Sequence, residues 1–453
     1  MSEIGKTISK NPPTYLLSFF FLLLFLLPRS ASSADVLADR EVLPNGITLL
    51  HSEKKALPII KVVVAIKAGS LVEPVERAGL ANITADLLTE GTEKRSSKDI
   101  SDAIEFVGGS LSVSGGADYI TVTLSVLKKD RELGFDLLSD IVMNPAFSKE
   151  EITRKKGMIK GSIIRQKEEP GAVTSKAFLK AVFGDHPYGW PVEGTEESLD
   201  RITPNDIVDF HKTYYAPNNS IMAVVGDISK DELRALITKY FHGWQKKDIP
   251  VKSLPVPQFR NGPKVIKIQK DITQANIILG HLGIKREDPD YYAILVMNYI
   301  LGGGGFASRL MDNIRDNKGL SYDVHSTFSA GKYAGNFQVV LQTKNLTANI
   351  AIDEIFSEMN RISSEPVTDR ELNDAKSYLT GSFPLRIDSN DKIAGFLMAV
   401  EYYNLGLDYI RDYNKFITSV SKEDVLQVAK KYLNTKDYVL VVVGDLGKAS
   451  LKY

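Results

Sequence analysis

The sequence predicts an α+β protein made of two homologous halves, each a mostly antiparallel sheet packed with helices. One observation is internal repetition: DIVDFHKTYYAPNNSIMAVVGD, which begins at Asp206, aligns without a gap with DVLQVAKKYLNTKDYVLVVVGD, which begins at Asp424. A second is that both halves run in the same order, from alternating strands through helices and more strands to a final strand ending in VVGD. Upstream, SKEEITRKKGMIKGSI matches VTDRELNDAKSYLTGSF and places Gly161 on Gly381. Gene duplication explains a gapless match of this length.

The boundaries of the halves follow from a change in composition. Residues 248–263, DIPVKSLPVPQFRNGP, contain four prolines and show no hydrophobic period, which indicates an extended linker. We therefore expect a first half at residues 35–247 and a second half at residues 264–453.

Residues 1–34 have the parts of a secretory signal peptide. Lys6 and Lys10 precede the apolar run TYLLSFFFLLLFLLP, and small residues follow it up to Ala34. A membrane span needs about 20 apolar residues, so this run is short for one. We expect an exported, periplasmic protein. The alternative is an uncleaved segment that anchors the chain to the inner membrane.

Composition narrows the classes of function. The chain has 56 basic and 56 acidic residues, so no excess charge favours nucleic acid or an anionic membrane as a partner. It contains no cysteine, which excludes disulfides, thiol nucleophiles and thiolate metal ligands.

The stretch AGLANITADLLTEGT, residues 78–92, has small residues and two polar side chains four positions apart, a pattern typical of a metal-binding helix. It contains no histidine. We expect it to be a packed helix with Leu80, Ile83 and Leu87 facing inward. The run Gly302, Gly303, Gly304 and Gly305 is not a phosphate-binding loop, because no Gly-Lys-Ser/Thr follows it. It is either a flexible connection between helices or a loop that a peptide approaches closely.

Several phrases resemble the pitrilysin/insulinase family of zinc peptidases, in the branch that includes mitochondrial processing peptidase and bacterial two-subunit proteins. They are NGITLLHSEKKALP, HPYGWPVEGTEESLDRIT, YYAPNNSIMAVVGD, LGGGGFASRLMDNIRDNKGLSYDV and FPLRIDSNDKIAGFLMAVEYYNLGLDY, and they extend over nearly the whole mature chain. The resemblance implies that the linker joins the halves into a clam-like chamber. It also implies a catalytic helix with the zinc motif H-x-x-E-H.

The zinc motif is degenerate in this sequence. The family's first histidine falls at Asn82, its glutamate at Ala85, its second histidine at Asp86, and its third ligand at Ser162. An amide and one carboxylate are too few ligands for a metal. We therefore expect that this chain does not catalyse zinc-dependent peptide hydrolysis and binds no cofactor. We expect the zinc ion in a partner subunit.

The resemblance also implies a substrate-binding set in the second half. Arg315 and Tyr322 have the spacing of the family's arginine and tyrosine, and the loop Gly302 to Gly305 matches a substrate-contacting loop, although it is shorter here. An arginine fork can hold a carbonyl or carboxylate, and a phenol can donate to an oxyanion. His186-Pro187-Tyr188-Gly189 is expected to be a structural turn, and Arg154-Lys155-Lys156 a solvated helix face.

The expected function is that of a non-catalytic, substrate-binding subunit of a heteromeric zinc metallopeptidase. Its partner would be a homologous H-x-x-E-H subunit, and its substrate a peptide or small protein. The alternative is a peptide-binding or structural scaffold without peptidase activity. An independent metallopeptidase is the third and weakest candidate, because all four motif positions have changed.

Overall fold

The computed structural model describes residues 37–258 and 261–453. The predicted signal peptide, residues 1–34, lies outside the described residues. Within the described part of the chain, no helix is both long and apolar enough to cross a membrane.

The first half contains the following strands and helices. Its strands are β1 (Asp39–Val42), β2 (Thr48–Glu53), β3 (Ile59–Ile66), β4 (Ser110–Ser114), β5 (Ile120–Leu127) and β6 (Ser220–Gly226). Its helices are α1 (Leu80–Asp86), α2 (Ser97–Phe106), α3 (Arg131–Met143), α4 (Lys149–Glu168), α5 (Pro170–Phe183), α6 (Glu196–Arg201), α7 (Pro204–Tyr214) and α8 (Lys230–Phe241).

The second half repeats this order. Its strands are β7 (Lys264–Gln269), β8 (Gln274–Leu282), β9 (Ile284–Lys285), β10 (Val324–Phe328), β11 (Ala330–Gly331), β12 (Asn336–Lys344) and β13 (Val439–Gly444). Its helices are α9 (Tyr291–Asn298), α10 (Ala348–Ser364), α11 (Asp369–Gly381), α12 (Asn390–Tyr402), α13 (Tyr409–Thr418), α14 (Lys422–Tyr432) and α15 (Leu446–Ala449).

The two main sheets have the same strand order. The first runs β1-β2-β6-β3-β5-β4, and the second, read in the same direction, runs β7-β13-β8-β12-β10. In each sheet the final strand of the half has one parallel neighbour, β2 for β6 and β7 for β13, and its other neighbour is antiparallel. The first sheet adds only the edge strand β1. This arrangement confirms the predicted α+β fold of two homologous, mostly antiparallel halves.

The final strands β6 and β13 are buried along their whole length. The sequences of such strands are continuous hydrophobic runs, because both faces of the sheet are covered at these strands. One face of each sheet packs on helices of its own half. The opposite face therefore needs a second cover.

That second cover comes from the other half. Helix α5 of the first half lies on β8 and β13 of the second sheet, where Phe178 joins an apolar cluster with Ile278, Val441 and Val443. Helix α12 of the second half lies on β3 and β6 of the first sheet. The halves thus exchange one helix each, and each sheet is completed by the other half.

Polar contacts join the halves beside the exchanged helices. Asp118 Oδ1 accepts hydrogen bonds from the Tyr188 hydroxyl at 2.6 Å and from the Tyr402 hydroxyl at 2.8 Å. The Arg40 guanidinium makes two hydrogen bonds of 2.8 Å to the Glu401 carboxylate. A bidentate pair fixes orientation as well as distance.

The described residues of the linker, 248–258 and 261–263, form no helix or strand. Lys252 Nζ donates a hydrogen bond to the main-chain oxygen of Glu73. The buried Glu73 carboxylate in turn accepts the backbone N–H groups of Gly79 at 2.9 Å and Ala81 at 2.8 Å, at the start of α1. The linker is thereby attached to the helix that aligns with the family's zinc helix.

The exchanged helix α5 provides a test of how the halves depend on each other. Phe178 is fully buried between α5 and the second sheet, so Phe178→Ala is expected to lower the free energy of unfolding by about 3–5 kcal/mol. Phe106→Ala is the matched control, because Phe106 is 91% exposed and its loss should change stability by less than about 0.5 kcal/mol. Urea unfolding, followed by circular dichroism, measures both. Equal effects of the two substitutions would contradict the role given to α5.

Candidate functional site

Helix α1 packs into the core of the first half as predicted. Leu80, Ile83 and Leu87 are all buried, which confirms the inward face. Gly79 precedes the helix with φ at +97°, a conformation that a residue with a Cβ rarely adopts. The start of α1 thus depends on this glycine and on the buried Glu73 carboxylate.

Two of the positions that align with zinc ligands, Asn82 and Asp86, lie on the less buried side of α1. Ala85 is fully buried, whereas Asn82 and Asp86 are half-buried. Asn82 packs closely against the turn before β5, since a Cβ at Gly115 would lie 2.5 Å from Asn82 Oδ1. Burial raises the pKa of Asp86, and the charge of Lys155 offsets only part of that rise. Ser162 is half-buried on α4.

The one glutamate of this stretch, Glu90, is already paired. Its carboxylate forms ion pairs with Lys155 at 2.5 Å and with Arg154, both on α4. Burial alone would raise the pKa of Glu90, but these hydrogen bonds and charges lower it below its ordinary value. Lys155 is only 15% exposed in its side chain, and Lys156 donates to the main-chain oxygen of Ile202. The expectation of a solvated basic face is therefore wrong for these two lysines.

These residues do not fit a zinc ion. Zinc sites in proteins use three or four nitrogen, sulfur or carboxylate ligands, and α1 offers one amide and one carboxylate beside a lysine. Within residues 37–258 and 261–453, no three histidine, aspartate or glutamate side chains converge in a way that could hold a metal. No catalytic step can be assigned to this helix.

The second half places Arg315 and Tyr322 side by side, together with Phe306. The guanidinium carbon of Arg315 lies 4.8 Å from the ring centre of Phe306 and 5.4 Å from that of Tyr322. Both distances are within the range of a cation–π contact. Phe306 is 71% exposed and Tyr322 is 87% exposed, so these rings face solvent. We refer to these three residues as the Phe306–Arg315–Tyr322 stack.

The glycine run before Phe306 is helical, with a wide turn over Tyr299–Gly303 and a short 3-10 turn over Gly305–Ala307. Gly302 is buried, and a Cβ there would lie 2.6 Å from Ser326 Oγ on β10. A Cβ at Gly304 would meet the Tyr299 carbonyl at 2.8 Å. These glycines allow close packing under the stack, which is a third role besides the hinge and the binding loop.

An ion pair between the buried Arg309 and the half-buried Glu371 anchors the segment that carries Phe306 and Arg315. Arg309 donates to Glu371 through Nε at 2.6 Å and through Nη2 at 3.1 Å. Burial would raise the pKa of Glu371, but hydrogen bonds from Arg309 and Thr368 lower it to about 2. Because Glu371 also caps α11, the segment from Phe306 to Arg315 is anchored to a helix of the core.

The structure brings together only part of the predicted site. Arg315, Tyr322 and the glycine run are neighbours, whereas Asn82, Asp86 and Ser162 belong to the other half. No hydrogen bond or ion pair between described residues connects the two groups. The HPYG phrase forms a 3-10 turn over Pro187–Gly189, which confirms its structural character.

Two family models match the chain. The model described as insulinase (peptidase family M16) matches residues 49–196, and the model described as peptidase M16 inactive domain matches residues 201–379. The chain belongs to this M16, or insulinase, family, and it lacks the family's H-x-x-E-H motif.

Relatives and solved structures agree with this family. An uncharacterized zinc protease of Mycobacterium leprae is 29% identical over 423 residues, 92% of this chain and 93% of that protein. The uncharacterized zinc protease YmxG of Bacillus subtilis is 24% identical over 408 residues, 89% and 97% of the two chains. A crystal structure described as a peptidase M16 inactive domain from Pseudomonas fluorescens matches with a TM-score of 0.84 and 29% identity, covering 90% of this chain and 98% of its own. A protease from Helicobacter pylori has the same fold, with a TM-score of 0.84 at 20% identity and coverage of 90% and 99%.

The state of Asp86 can be tested through pH. Because burial raises its pKa, this carboxyl adds stability below the ordinary aspartate pKa of about 3.9, and loses that contribution as the pH rises through the raised value. Asp86→Asn should therefore stabilise the chain relative to the parent at pH 7, and the gain should vanish near pH 3.5.

Urea unfolding at both pH values measures the difference. Asp209→Asn is the control, because Asp209 lies on the exposed side of α7 and its replacement should have little effect at either pH. A loss of stability in Asp86→Asn that appears only when zinc or calcium is added would show that Asp86 is a ligand, against our interpretation.

Proposed function

We propose that this chain is a non-catalytic, substrate-binding subunit of a heteromeric zinc metallopeptidase. Its partner is a homologous subunit that has the H-x-x-E-H motif and holds the zinc, the attacking water and the general base. Its ligand is a peptide or small protein. The two subunits act outside the cytoplasm, since the sequence begins with the parts of an export signal.

The Phe306–Arg315–Tyr322 stack is the observation that supports this proposal best. Full burial of an aromatic side chain is worth roughly 1.5–3 kcal/mol, whereas an exposed cation–π contact is worth roughly 0.5–1 kcal/mol. The isolated chain therefore gains less from exposing Phe306 and Tyr322 than a complex would gain by covering them. Exposed tyrosine and arginine side chains are also enriched among the residues that dominate binding energy.

The chemistry of the stack suits a peptide. Arg315 presents hydrogen-bond donors to a carbonyl or carboxylate, and its remaining ion pair is with its exposed neighbour Asp316 at 2.7 Å. The Tyr322 hydroxyl makes no hydrogen bond with any described residue, so it can donate to an oxyanion that forms when water attacks a peptide bond. Neither group supplies a nucleophile or a base, so the reaction depends on the partner.

A second chain would also complete the chamber. The two halves of this chain are packed directly on each other through α5 and α12. A space that encloses a peptide therefore lies between this chain and its partner, with the stack on one wall. This arrangement explains how a chain with a degenerate zinc helix can contribute to proteolysis.

The test is cleavage of an unstructured peptide by this chain, by an H-x-x-E-H homologue from the same genome, and by their mixture, with zinc present throughout. We expect cleavage by the mixture alone. Tyr322→Phe should lower kcat of the mixture by about 10²–10³-fold, the range seen when one oxyanion donor is removed. Arg315→Ala should lower kcat/KM, and Arg315→Lys should restore little because lysine lacks the planar fork.

Matched controls lie on helix α11 of the same half. Tyr378→Phe and Arg370→Ala replace an exposed tyrosine and an exposed arginine outside the stack, and should leave cleavage unchanged. Cleavage by this chain alone would refute the proposal. Two outcomes would favour the alternative of a structural scaffold. One is binding between the two chains without cleavage, and the other is cleavage that is unchanged by substitution of Arg315 or Tyr322.

A further inference from the structure

An open cleft adjoins Tyr322 where the two halves meet. It has a volume of about 340 Å³ and is lined by Gly171 and Thr174 of α5, by Asn276 and Gln342 of the second sheet, and by Tyr322. This volume lies within the range of about 300–1,000 Å³ that is typical of ligand sites. The cleft therefore continues from the Phe306–Arg315–Tyr322 stack into the interface between the halves.

The duplication identifies the corresponding place in the first half. Lys61 on β3 pairs across the sheet with Val225 and Ser125. Asn276 on β8 occupies the same position, since it pairs with Val443 and Gln342. Lys61 and Asn276 are thus equivalent residues of the two sheets.

The exchanged helices are equivalent in the same way. The alignment that places Gly161 on Gly381 continues without a gap and places Gly171 on Asp391, each at the second position of its helix. In the first half an ion pair occupies this place, since Lys61 Nζ lies 2.5 Å from Asp391 Oδ1. In the second half both members of the pair are replaced, by Asn276 and Gly171.

In the second half, the replacement of the charged pair leaves space beside Gly171 and amide groups without hydrogen-bond partners among the described residues. A Cβ at Gly171 would meet no atom within 4 Å, so the side chain that closes the first half has no counterpart here. Asn276 is only 7% exposed, and its Oδ1 accepts a hydrogen bond from Gln342 Nε2 at 2.6 Å. Asn276 Nδ2 and Gln342 Oε1 make no hydrogen bond with any residue that the structure describes. One offers a donor and the other an acceptor.

We infer that this cleft is a subsite for an amide group of the bound peptide. An amide carbonyl accepts from Asn276 Nδ2 and an amide N–H donates to Gln342 Oε1, while Tyr322 holds the adjacent part of the peptide. A carboxylate or an ammonium group fits less well, because each satisfies only one of the two partners. The amide comes either from a glutamine or asparagine side chain or from the peptide main chain. The inference rests on the proposed peptide-binding function.

The first half supplies the design of the test. The double substitution Gly171→Asp with Asn276→Lys copies the Lys61–Asp391 pair into the cleft and closes it. The space beside Gly171 is open, and an acidic residue near a helix N-terminus is favourable, so the variant should fold. The control is Lys61→Asn with Asp391→Gly. It changes the equivalent position of the first half, away from the cleft at Tyr322, and removes both charges of the ion pair together.

The probe is a fluorescein-labelled ten-residue peptide of alanine and serine with one central glutamine. Three matched peptides have glutamate, lysine or leucine in its place. Fluorescence anisotropy measures their binding to residues 35–453 of the parent and the variants. We expect the closed variant to bind at least about tenfold more weakly than the parent, the energy of about one lost hydrogen bond to a buried partner, and the control to bind like the parent.

The four peptides distinguish the source of the amide. A preference for the glutamine peptide that is lost in the closed variant assigns the cleft to a side-chain amide. Equal binding of all four peptides, lost in the closed variant, assigns it to the peptide main chain. If thermal unfolding shows that the closed variant is misfolded, Gln342→Leu replaces it and should abolish the amide preference or weaken all four peptides equally.

Other results overturn the inference. Unchanged binding by the closed variant, with binding weakened by Arg315→Ala, refutes the amide subsite and leaves the proposed subunit role intact. A preference of the parent for the glutamate or lysine peptide refutes the amide chemistry. Absence of peptide binding by the parent also refutes the subsite. The proposed subunit role is tested independently, by the cleavage assay with the two-chain mixture.

Discussion

The exchange of one helix between the halves is the constraint on which the rest of the structure depends. The strands β6 and β13 are apolar along their whole length, so both faces of each sheet must be covered. Each half covers only one face of its own sheet with its own helices. Because α5 and α12 supply the missing layers, neither half is complete without the other. The surfaces available for a ligand are therefore those at the margins of this interface and on the outer side.

Core packing within the first half explains why the degenerate zinc helix keeps its structure. Helix α1 holds the core through its buried leucines and isoleucine, and its start is fixed by Glu73, which also contacts the linker residue Lys252. Asn82, Asp86 and Ser162, which align with the zinc ligands, are outside this packing, whereas Ala85, which aligns with the glutamate, is part of it. They can lose their ligands while the fold keeps its stability. Lys155 and Arg154 pair with the remaining glutamate, so the region has become an ion-pair network.

Hydrophobic period and repetition predict most of the fold but not its interface. The gapless match ending in VVGD indicates two equivalent sheets, and the spacing of Leu80, Ile83 and Leu87 indicates the buried face of α1. The period shows that a face is apolar, but it does not show which element covers it, so the helix exchange is not predictable. Phe306 lies nine residues before Arg315 and meets it only through the turn after the glycine run. Glu90 and Lys155 are likewise paired by folding across 65 positions, which is why the expectation of a solvated face is wrong for Lys155.

The two halves provide an internal comparison of one position of the interface with and without a charged pair. A charged pair replaced as a whole is often nearly neutral for stability, whereas loss of one member leaves an unpaired charge. The second half has replaced both Lys61 and Asp391, by Asn276 and Gly171, and has opened a cleft without leaving such a charge. The first half lacks the family's metal ligands and retains the Lys61–Asp391 ion pair. The two halves of one chain thus differ at equivalent positions, and the open cleft meets the exposed stack at Tyr322.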